Sequence, residues 1–128
     1  MCGIAGFVDA SLDAETRRSS VAAMCGAMLH RGPDDEGIAS LPTAAIGMRR
    51  LAIFDPANGQ QPMQTLDGRF TLIFNGAIYN FRELRAELAS AGWAFRTDCD
   101  TEVLLHAYAQ WGEACLRRLR GMFAFARE

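Results

Sequence analysis

The order of apolar and polar residues along the chain predicts short strands that alternate with helices. Short apolar runs bounded by Gly, Pro, Asn or Asp are typical of strands. Apolar residues that recur every three or four positions indicate helices with one buried face. The predicted strands cover residues 3–9, 44–49, 51–55, 62–66, 69–74, 93–95 and 122–126. The first predicted helix covers residues 13–29, with Asp13 as its N-cap. The others cover residues 80 to a stop at 92, 100 to a stop at 112, and 113–119.

Local signals at the ends of these segments indicate how they connect. Asp67-Gly68 between two apolar runs is a strong hairpin signal, so the sheets are expected to be at least partly antiparallel. Asn75-Gly76 is a turn signal that is expected to end the second strand of this hairpin. Asn80, followed three residues later by a glutamate, predicts a capping box at the start of a helix. Since no strand opens into a GxGxxG turn or a P-loop, the pattern predicts an α+β layered fold.

Composition and charge narrow the classes of function. The 128 residues suggest one domain, and 50% of them are hydrophobic, which fits a protein with a buried core. The formal net charge of −2, without a basic stripe, argues against binding to nucleic acid. No apolar stretch approaches the roughly 20 residues that span a bilayer, and the N-terminus does not resemble a signal peptide. The chain is therefore expected to act in the cytoplasm and away from membranes.

The cysteines stand far apart in the sequence, at positions 2, 25, 99 and 115. None of them forms a CxxC pair, and the chain has only two histidines, so no metal site is expected. Scattered cysteines without a secretory signal are expected to remain reduced thiols.

Cys2 is the first candidate for chemistry because removal of Met1 would place a thiol and a free α-amine on one residue. A free α-amine titrates near neutral pH and can accept the proton of a nucleophilic thiol. A plainer interpretation makes Cys2 a small apolar residue at the start of a buried strand. A third possibility is a cysteine–histidine pair, with His30 or His106 as the base.

Four further residues could complete such a site. Asn75 and Gly76 supply a side-chain amide and a backbone N–H, the donor types of an oxyanion hole, although a plain turn also explains them. The guanidinium of Arg50 interrupts two apolar runs and could bind a carboxylate through two hydrogen bonds. Asp100 could bind an ammonium group, although a helix N-cap also explains it. Together, Arg50 and Asp100 would suit an amino acid.

Seven segments in this order resemble the glutaminase domain of class II glutamine amidotransferases, most closely that of the asparagine-synthetase type. The resemblance covers essentially the whole chain, and amidotransferases from bacterial surface-polysaccharide and exosortase gene clusters look similar too. The segments are MCGIAGF, HRGPDDEG, RRLAIFD, GQQP, FNGAIYN, TDCDTEVLLHAY and GMFAFA.

The resemblance implies an N-terminal-nucleophile hydrolase fold, with two antiparallel sheets stacked between helix layers. It implies that Cys2 attacks the side-chain amide of L-glutamine, and that Asn75 and Gly76 form the oxyanion hole. Arg50 would hold the substrate carboxylate and Asp100 its ammonium, with Gly76 also contacting the substrate. The loop at residues 31–34 matches a family signature and is expected to shape the site. No cofactor is implied for this domain, whereas ATP and Mg²⁺ would serve a following synthetase domain.

The chain also departs from the family pattern. Ala77 stands where the family usually has a glutamate that helps to hold the substrate's amino group, and Met48 stands where the family often has a histidine. Family domains continue beyond the length of this chain, so residues 1–128 are interpreted as a partial glutaminase domain without its synthetase domain. An unpaired strand at 122–126 would then favour pairing with another copy, as a homodimer, and lower stability. The alternative function is a non-catalytic folding or interaction piece.

Overall fold

Two antiparallel sheets of three strands each form the middle of the protein. The first sheet has the strand order β1-β3-β2 and the second has the order β4-β5-β6. The computed structural model describes residues 1–53 and 55–128. In these residues the elements are β1 (Gly3–Val8), α1 (Ala14–Ala27), β2 (Asp35–Ser40), β3 (Ala44–Arg50), β4 (Met63–Gln64), β5 (Thr71–Ile78), α2 (Phe81–Ser90), α3 (Asp100–Trp111), a 3-10 helix (Gly112–Arg117) and β6 (Gly121–Arg127).

The helices cover the two outer faces of the stacked sheets, which gives the four-layer αββα arrangement that the family resemblance implies. Successive strand residues point to opposite faces, so Ala45 and Gly47 of β3 face α1 while Ile46 and Met48 face the second sheet. A Cβ at Gly47 would lie 2.6 Å from Val21 and 2.8 Å from the sulfur of Cys25, so glycine allows α1 to pack closely. Between the sheets, Ile46 and Met48 pack against Ile73 of β5.

The largest apolar cluster lies between the second sheet and helices α2 and α3. Leu72, Phe74 and Ile78 of β5 pack there against Leu84 and Leu88 of α2 and the apolar face of α3. This cluster fixes the start of α3 relative to β5. No helix in residues 1–53 and 55–128 is both long and apolar enough to cross a membrane.

One strand was missed, and two predicted strands are not formed in the described residues. β2 was not predicted because its sequence, DEGIAS, has little apolar character, yet it pairs with β3 along its whole length. Residues 51–53 form no strand, and the remainder of that prediction includes Phe54, which lies outside the described residues. Residues 93–95 form no strand either, because Trp93 and Phe95 pack their rings against His106 instead of joining a sheet.

The prediction that Asn75-Gly76 ends its strand was also wrong. β5 continues through both residues to Ile78, because β6 pairs with it in register, Asn75 opposite Ala124 and Gly76 opposite Phe123. A Cβ at Gly76 would overlap the backbone of β6. Glycine is therefore needed here for close approach of a neighbouring strand, and the turn signal in the sequence was misleading.

The two predicted helix caps had different outcomes. The N-cap at Asp13 is confirmed, since its carboxylate accepts a hydrogen bond of 2.8 Å from the Thr16 N–H. The capping box at Asn80 is wrong, because Asn80 makes no side-chain hydrogen bond to its own helix. Its side chain instead accepts from the Arg120 N–H and donates to the Arg118 carbonyl, both at 2.9 Å, which fixes the chain before β6.

The carboxylate of Glu102 holds the loop that leads into α3. It is fully buried and accepts hydrogen bonds from the N–H groups of Arg96 and Thr97 and from the Thr97 hydroxyl, at 2.7–3.1 Å. Burial alone would raise the pKa of Glu102, but the hydrogen bonds from Thr97 and Arg96 outweigh it and lower the pKa below its ordinary value. The ionised carboxylate therefore contributes to folding stability.

We expect Glu102→Gln to lower the free energy of unfolding by about 1–3 kcal/mol at neutral pH, because an amide cannot accept all of these bonds. A depressed folded-state pKa stabilises the fold above the unfolded-state pKa, and that stability is lost as pH falls below about 4.3. Urea denaturation at pH 7 and pH 3.5 measures both effects. The matched control is Glu87→Gln, which alters a half-exposed ion pair with Arg118 and should cost about 1 kcal/mol or less. Equal losses for the two variants would contradict the assigned role.

Candidate active site

A cavity of about 370 Å³ opens where the first sheet, the second sheet and the start of α3 meet. All five residues that the sequence singled out as a candidate site line this one cavity, although they come from widely separated segments. Gln61, for which the sequence suggested no role, lines it too. The six are Cys2, Arg50, Gln61, Asn75, Gly76 and Asp100.

Cys2 lies at the edge of the cavity, immediately before β1. Its sulfur accepts a hydrogen bond of 3.3 Å from the Leu51 N–H, and its carbonyl accepts one of 3.4 Å from the Arg31 guanidinium. Met1 also lines the cavity and keeps 64% of its surface exposed. The thiol is thus half-buried at the start of a strand and also faces the cavity. Cys2 can therefore be both a small residue that begins a buried strand and a candidate nucleophile.

The loop at residues 31–34 supports the segment that holds Cys2. Gly32 lies so close to the backbone of Arg49 that a Cβ would overlap it. The Asp34 carboxylate accepts a hydrogen bond of 2.8 Å from the Ala52 N–H. The Arg49 side chain donates to the Gly32 carbonyl at 2.9 Å. These contacts hold the loop against the end of β3 and the segment that follows it, and the role of the loop in shaping the site stays a prediction.

Arg50 ends β3 and is almost fully buried, with 5% of the residue exposed. The guanidinium donates to the backbone carbonyls of Asp55 at 2.9 Å and Pro56 at 3.0 Å. A Cβ at Gly59 would overlap the same guanidinium. The loop after residue 55 therefore fixes the orientation of a buried positive charge at the cavity wall.

Asn75 directs its side chain toward the first sheet, on the same face of β5 as Ile73 and Ala77. The side-chain oxygen of Asn75 is buried and has no hydrogen-bond partner among the described residues. A buried polar atom without a partner is uncommon in folded proteins. Here it belongs to an amide of a residue that lines the cavity wall.

The edge of β5 that faces away from β6 carries three N–H groups near the cavity. Residues two apart in a strand direct their N–H groups to the same edge. The Phe74 N–H donates to the side-chain oxygen of Gln61 at 2.6 Å, and the Ile78 N–H donates to the Asp100 carboxylate at 3.0 Å. Between them, the Gly76 N–H meets no acceptor in the hydrogen bonds found among residues 1–53 and 55–128. It is available to a ligand.

Asp100 is the first residue of α3, 4% exposed, and does not serve as the N-cap, a position that Cys99 occupies. Its carboxylate instead reaches the second sheet through the Ile78 N–H. Burial raises the pKa of Asp100, and the opposing hydrogen bond from Ile78 does not cancel that effect. A cationic group in the cavity would favour the ionised carboxylate.

Neither histidine lines the cavity that contains Cys2. His30 is exposed in a turn after α1. His106 is buried within α3, with its ring 4.8 Å from the ring centroids of both Trp93 and Phe95. The geometry therefore does not favour a cysteine–histidine pair. No group of three His, Cys, Asp or Glu residues in the described part of the chain is arranged to hold a metal ion.

The two departures from the family pattern lie in different surroundings. Ala77 lines the cavity beside Gly76, so a longer side chain at that position would reach the same space. Met48 is fully buried between the sheets and does not line the cavity. Gln61 and Gly59 were missed as cavity residues, although both belong to the segment around GQQP that carried part of the resemblance.

The chain was compared with known protein families and curated proteins. Residues 1–127 match the family described as the glutamine amidotransferase domain. The chain is 43% identical over 127 residues to the glutamine-hydrolyzing asparagine synthetase 1 of Bacillus subtilis, with 98% of this chain and 20% of that protein covered. It is 41% identical over 125 residues to the glutamine-hydrolyzing asparagine synthetase of Triphysaria versicolor, with 98% and 21% covered. The chain thus spans about a fifth of the length of these relatives.

Solved structures of similar fold were found as well. Glutamine phosphoribosylpyrophosphate amidotransferase of Bacillus subtilis has a TM-score of 0.74 at 22% identity, with 99% of this chain and 34% of that chain covered. A structure described as the allosteric regulatory enzyme of purine biosynthesis has a TM-score of 0.58 at 28% identity, covering 70% and 22%. The first similarity, together with the stacked sheets, shows the N-terminal-nucleophile hydrolase fold.

Proposed function

Because this chain belongs to the family of glutamine amidotransferase domains, we propose that its cavity hydrolyses the side-chain amide of L-glutamine to give glutamate and ammonia. One observation carries the proposal. A thiol, two donor groups, a buried guanidinium and a buried carboxylate from separate parts of the chain line a single cavity. The same observation makes a non-catalytic interaction piece the less favoured alternative.

The charged residues suit the amino-acid end of glutamine. Arg50 presents a buried positive charge for the α-carboxylate, and Asp100 presents a buried carboxyl for the α-ammonium. Pairing inside a cavity is stronger than in water because the surroundings screen it less. Ala77 contributes no charge, so the ammonium depends on Asp100 more than it would if a glutamate stood there.

The thiol of Cys2 would attack the side-chain amide carbon of glutamine after Met1 has been removed. The freed α-amine of Cys2 takes the thiol proton and returns it to the leaving nitrogen, which departs as ammonia. The γ-glutamyl group remains as a thioester on the sulfur. Water then attacks the thioester, and glutamate leaves with the thiol restored.

The tetrahedral intermediate carries a negative oxygen that needs hydrogen-bond donors. The Gly76 N–H points to the cavity edge of β5, and the Asn75 amide lies on the face of β5 turned toward the first sheet. Donors held in place before the reaction act without reorganisation, and one such donor typically contributes about 10²–10³ in rate. We assign these two groups to the oxyanion hole.

The longer relatives suggest where the ammonia is used. We propose that this glutaminase step needs no cofactor and supplies ammonia to an ATP- and Mg²⁺-dependent synthetase region, for which aspartate is the simplest acceptor. Support comes from two relatives whose names state glutamine-hydrolysing asparagine synthesis. A cytoplasmic location is proposed as well, since all four cysteines are free thiols.

The first test is glutamate release from glutamine by the unaltered chain and by Cys2→Ala. We expect release by Cys2→Ala to fall to the background because the nucleophile is absent. Cys25→Ala is the matched control, since that buried thiol of α1 packs against β3 away from the cavity. Equal rates for the unaltered chain and Cys2→Ala would refute the enzymatic proposal.

Mass spectrometry should show that the active protein lacks Met1, and activity with Met1 attached would argue against the amine as base.

A second test uses the raised pKa of the buried Asp100. The ammonium binds the ionised carboxylate, so KM for glutamine should rise as pH falls, beginning above the ordinary titration range of aspartate. Asp100→Asn should raise KM about 30-fold or more at neutral pH, since it leaves a buried charge unpaired, and should abolish this pH dependence. Asp98→Asn, at an exposed neighbour, should leave KM unchanged. A KM for Asp100→Asn equal to that of the control would remove Asp100 from the substrate site.

The outer edge of β6 suggests a second copy of the chain as a partner. Thr71 and Glu128 exchange two backbone hydrogen bonds. This pair determines which residues of β6 direct their N–H and C=O groups toward β5 and which direct them to the opposite edge. Four β6 residues therefore direct their N–H and C=O groups to the outer edge, where the described residues place no strand. These residues are Gly121, Phe123, Phe125 and Arg127.

We also propose that two copies of the chain pair antiparallel along this edge, centred on Ala124. This register pairs position 121 with 127 and 123 with 125, so every outward N–H and C=O group is bonded. It also places the exposed Arg120 of each copy opposite Glu128 of the other. No other register satisfies all four residues and both charges.

Sedimentation equilibrium tests the dimer. Arg120→Glu should weaken it about tenfold, since two favourable charge pairs become repulsive, and Arg120→Glu combined with Glu128→Arg should restore it. A protein that stays monomeric at high concentration, or a double variant no tighter than the single one, would contradict this pairing.

A further inference from the structure

Gln61 connects the two elements that carry the proposed oxyanion hole and the ammonium site. Its side chain is buried, at 7% exposure, and lines the cavity. Its oxygen accepts from the Phe74 N–H at 2.6 Å, and its nitrogen donates to the Thr101 hydroxyl at 3.3 Å. Phe74 directly precedes Asn75, and Thr101 directly follows Asp100. A backbone N–H can only donate, so the orientation of the amide is determined.

The side chain of Gln61 acts where the neighbouring strand has ended. β4 pairs with β5 only through Met63 opposite Leu72 and Gln64 opposite Thr71. From Phe74 onward, this edge of β5 has no strand beside it in the described residues. At that point the side-chain oxygen of Gln61 takes the place of a backbone carbonyl from a neighbouring strand. It binds the Phe74 N–H, which lies two residues before the Gly76 N–H on the same edge of β5.

The backbone of Gln61 is fixed against the other sheet. A Cβ at Gly37 of β2 would overlap the carbonyl of Gln61, so the two backbones are in direct contact. Gln61 therefore touches the first sheet through its backbone and the second sheet through its side chain. The proposed nucleophile, Cys2, precedes β1 of the first sheet, whereas the oxyanion donors belong to β5 of the second.

We propose that Gln61 is a positioning residue for glutamine hydrolysis, which holds the Gly76 N–H and the Asn75 amide at a fixed place relative to the Cys2 thiol. This inference rests on the proposed function. Gln61 does not touch the reacting atoms itself. Its loss would let the edge of β5 shift, and a misplacement of about 1 Å can cost on the order of 100-fold in rate.

The test is the kinetics of Gln61→Met, which keeps the length of the side chain and removes both hydrogen bonds. We expect kcat for glutamate release to fall about 10- to 100-fold while KM changes less than about threefold, because oxyanion donors act in the transition state. The matched control is Gln64→Met. Gln64 donates to the Thr71 hydroxyl at 2.9 Å beside the same strand and does not line the cavity, so its loss should leave kcat unchanged.

Gln61→Glu provides a second measurement that does not depend on the first variant folding. A protonated carboxyl reproduces both bonds of the amide, whereas an ionised one places a negative charge beside the oxyanion. The other titratable or charged groups lining the cavity are the N-terminal α-amine, the Cys2 and Cys99 thiols, the Arg50 guanidinium and the Asp100 carboxyl. The activity of Gln61→Glu relative to the unaltered chain should therefore rise severalfold as pH falls from 8 to about 5.5, and that of Gln61→Met should stay flat.

The outcomes separate this inference from the function on which it rests. An inactive unaltered chain would refute the proposed glutaminase and the inference with it. An active chain with unchanged kcat in Gln61→Met, or with a flat relative pH profile in Gln61→Glu, would refute only the positioning role. A rise in KM with kcat unchanged would also refute it, since that pattern assigns Gln61 to substrate binding.

Discussion

β5 has a strand partner along the whole of one edge but along only the first part of the other, and the candidate site lies at the part without a partner. β6 pairs with it throughout, whereas β4 reaches only two of its residues. Beyond that point, buried N–H groups need other acceptors, because a buried donor without a partner costs about 1–3 kcal/mol. Side-chain oxygens of Gln61 and Asp100 meet this need at Phe74 and Ile78. The acceptors that complete the sheet are thus also cavity residues, and stability and site geometry have a common origin.

The proposed reaction uses groups from both sheets, so the distances between these groups depend on how the two sheets pack against each other. Cys2 and Arg50 come with the first sheet, and Asn75 and Gly76 come with the second. Dense apolar packing between the sheets resists small displacements, since protein interiors approach the density of organic crystals. Met48 is fully buried in the middle of this contact and does not face the cavity.

The sequence predicted most helices and strands, the layered α+β architecture and the residues that meet in the cavity. It did so because apolar periodicity is local and because seven ordered segments resemble a known family. The sequence-based prediction failed where the conformation of a segment depends on hydrogen-bond partners that are distant in the sequence. Asn75-Gly76 looked like a turn until β6 supplied a neighbour, and Asp100 looked like a cap until Ile78 supplied a donor. Gln61 belongs to one of these segments, but its role had no local signal, since its two hydrogen bonds reach 13 and 40 residues along the chain.

The exposure of Met1 bears on the order of events in the life of the protein. A terminal residue that protrudes from the folded surface remains accessible to an aminopeptidase, so its removal does not require an unfolded chain. Folding and release of the α-amine can then proceed independently. Under the proposed mechanism, a freshly folded molecule would hold the cavity with its base still tied in a peptide bond, and removal of Met1 would be the step that starts activity.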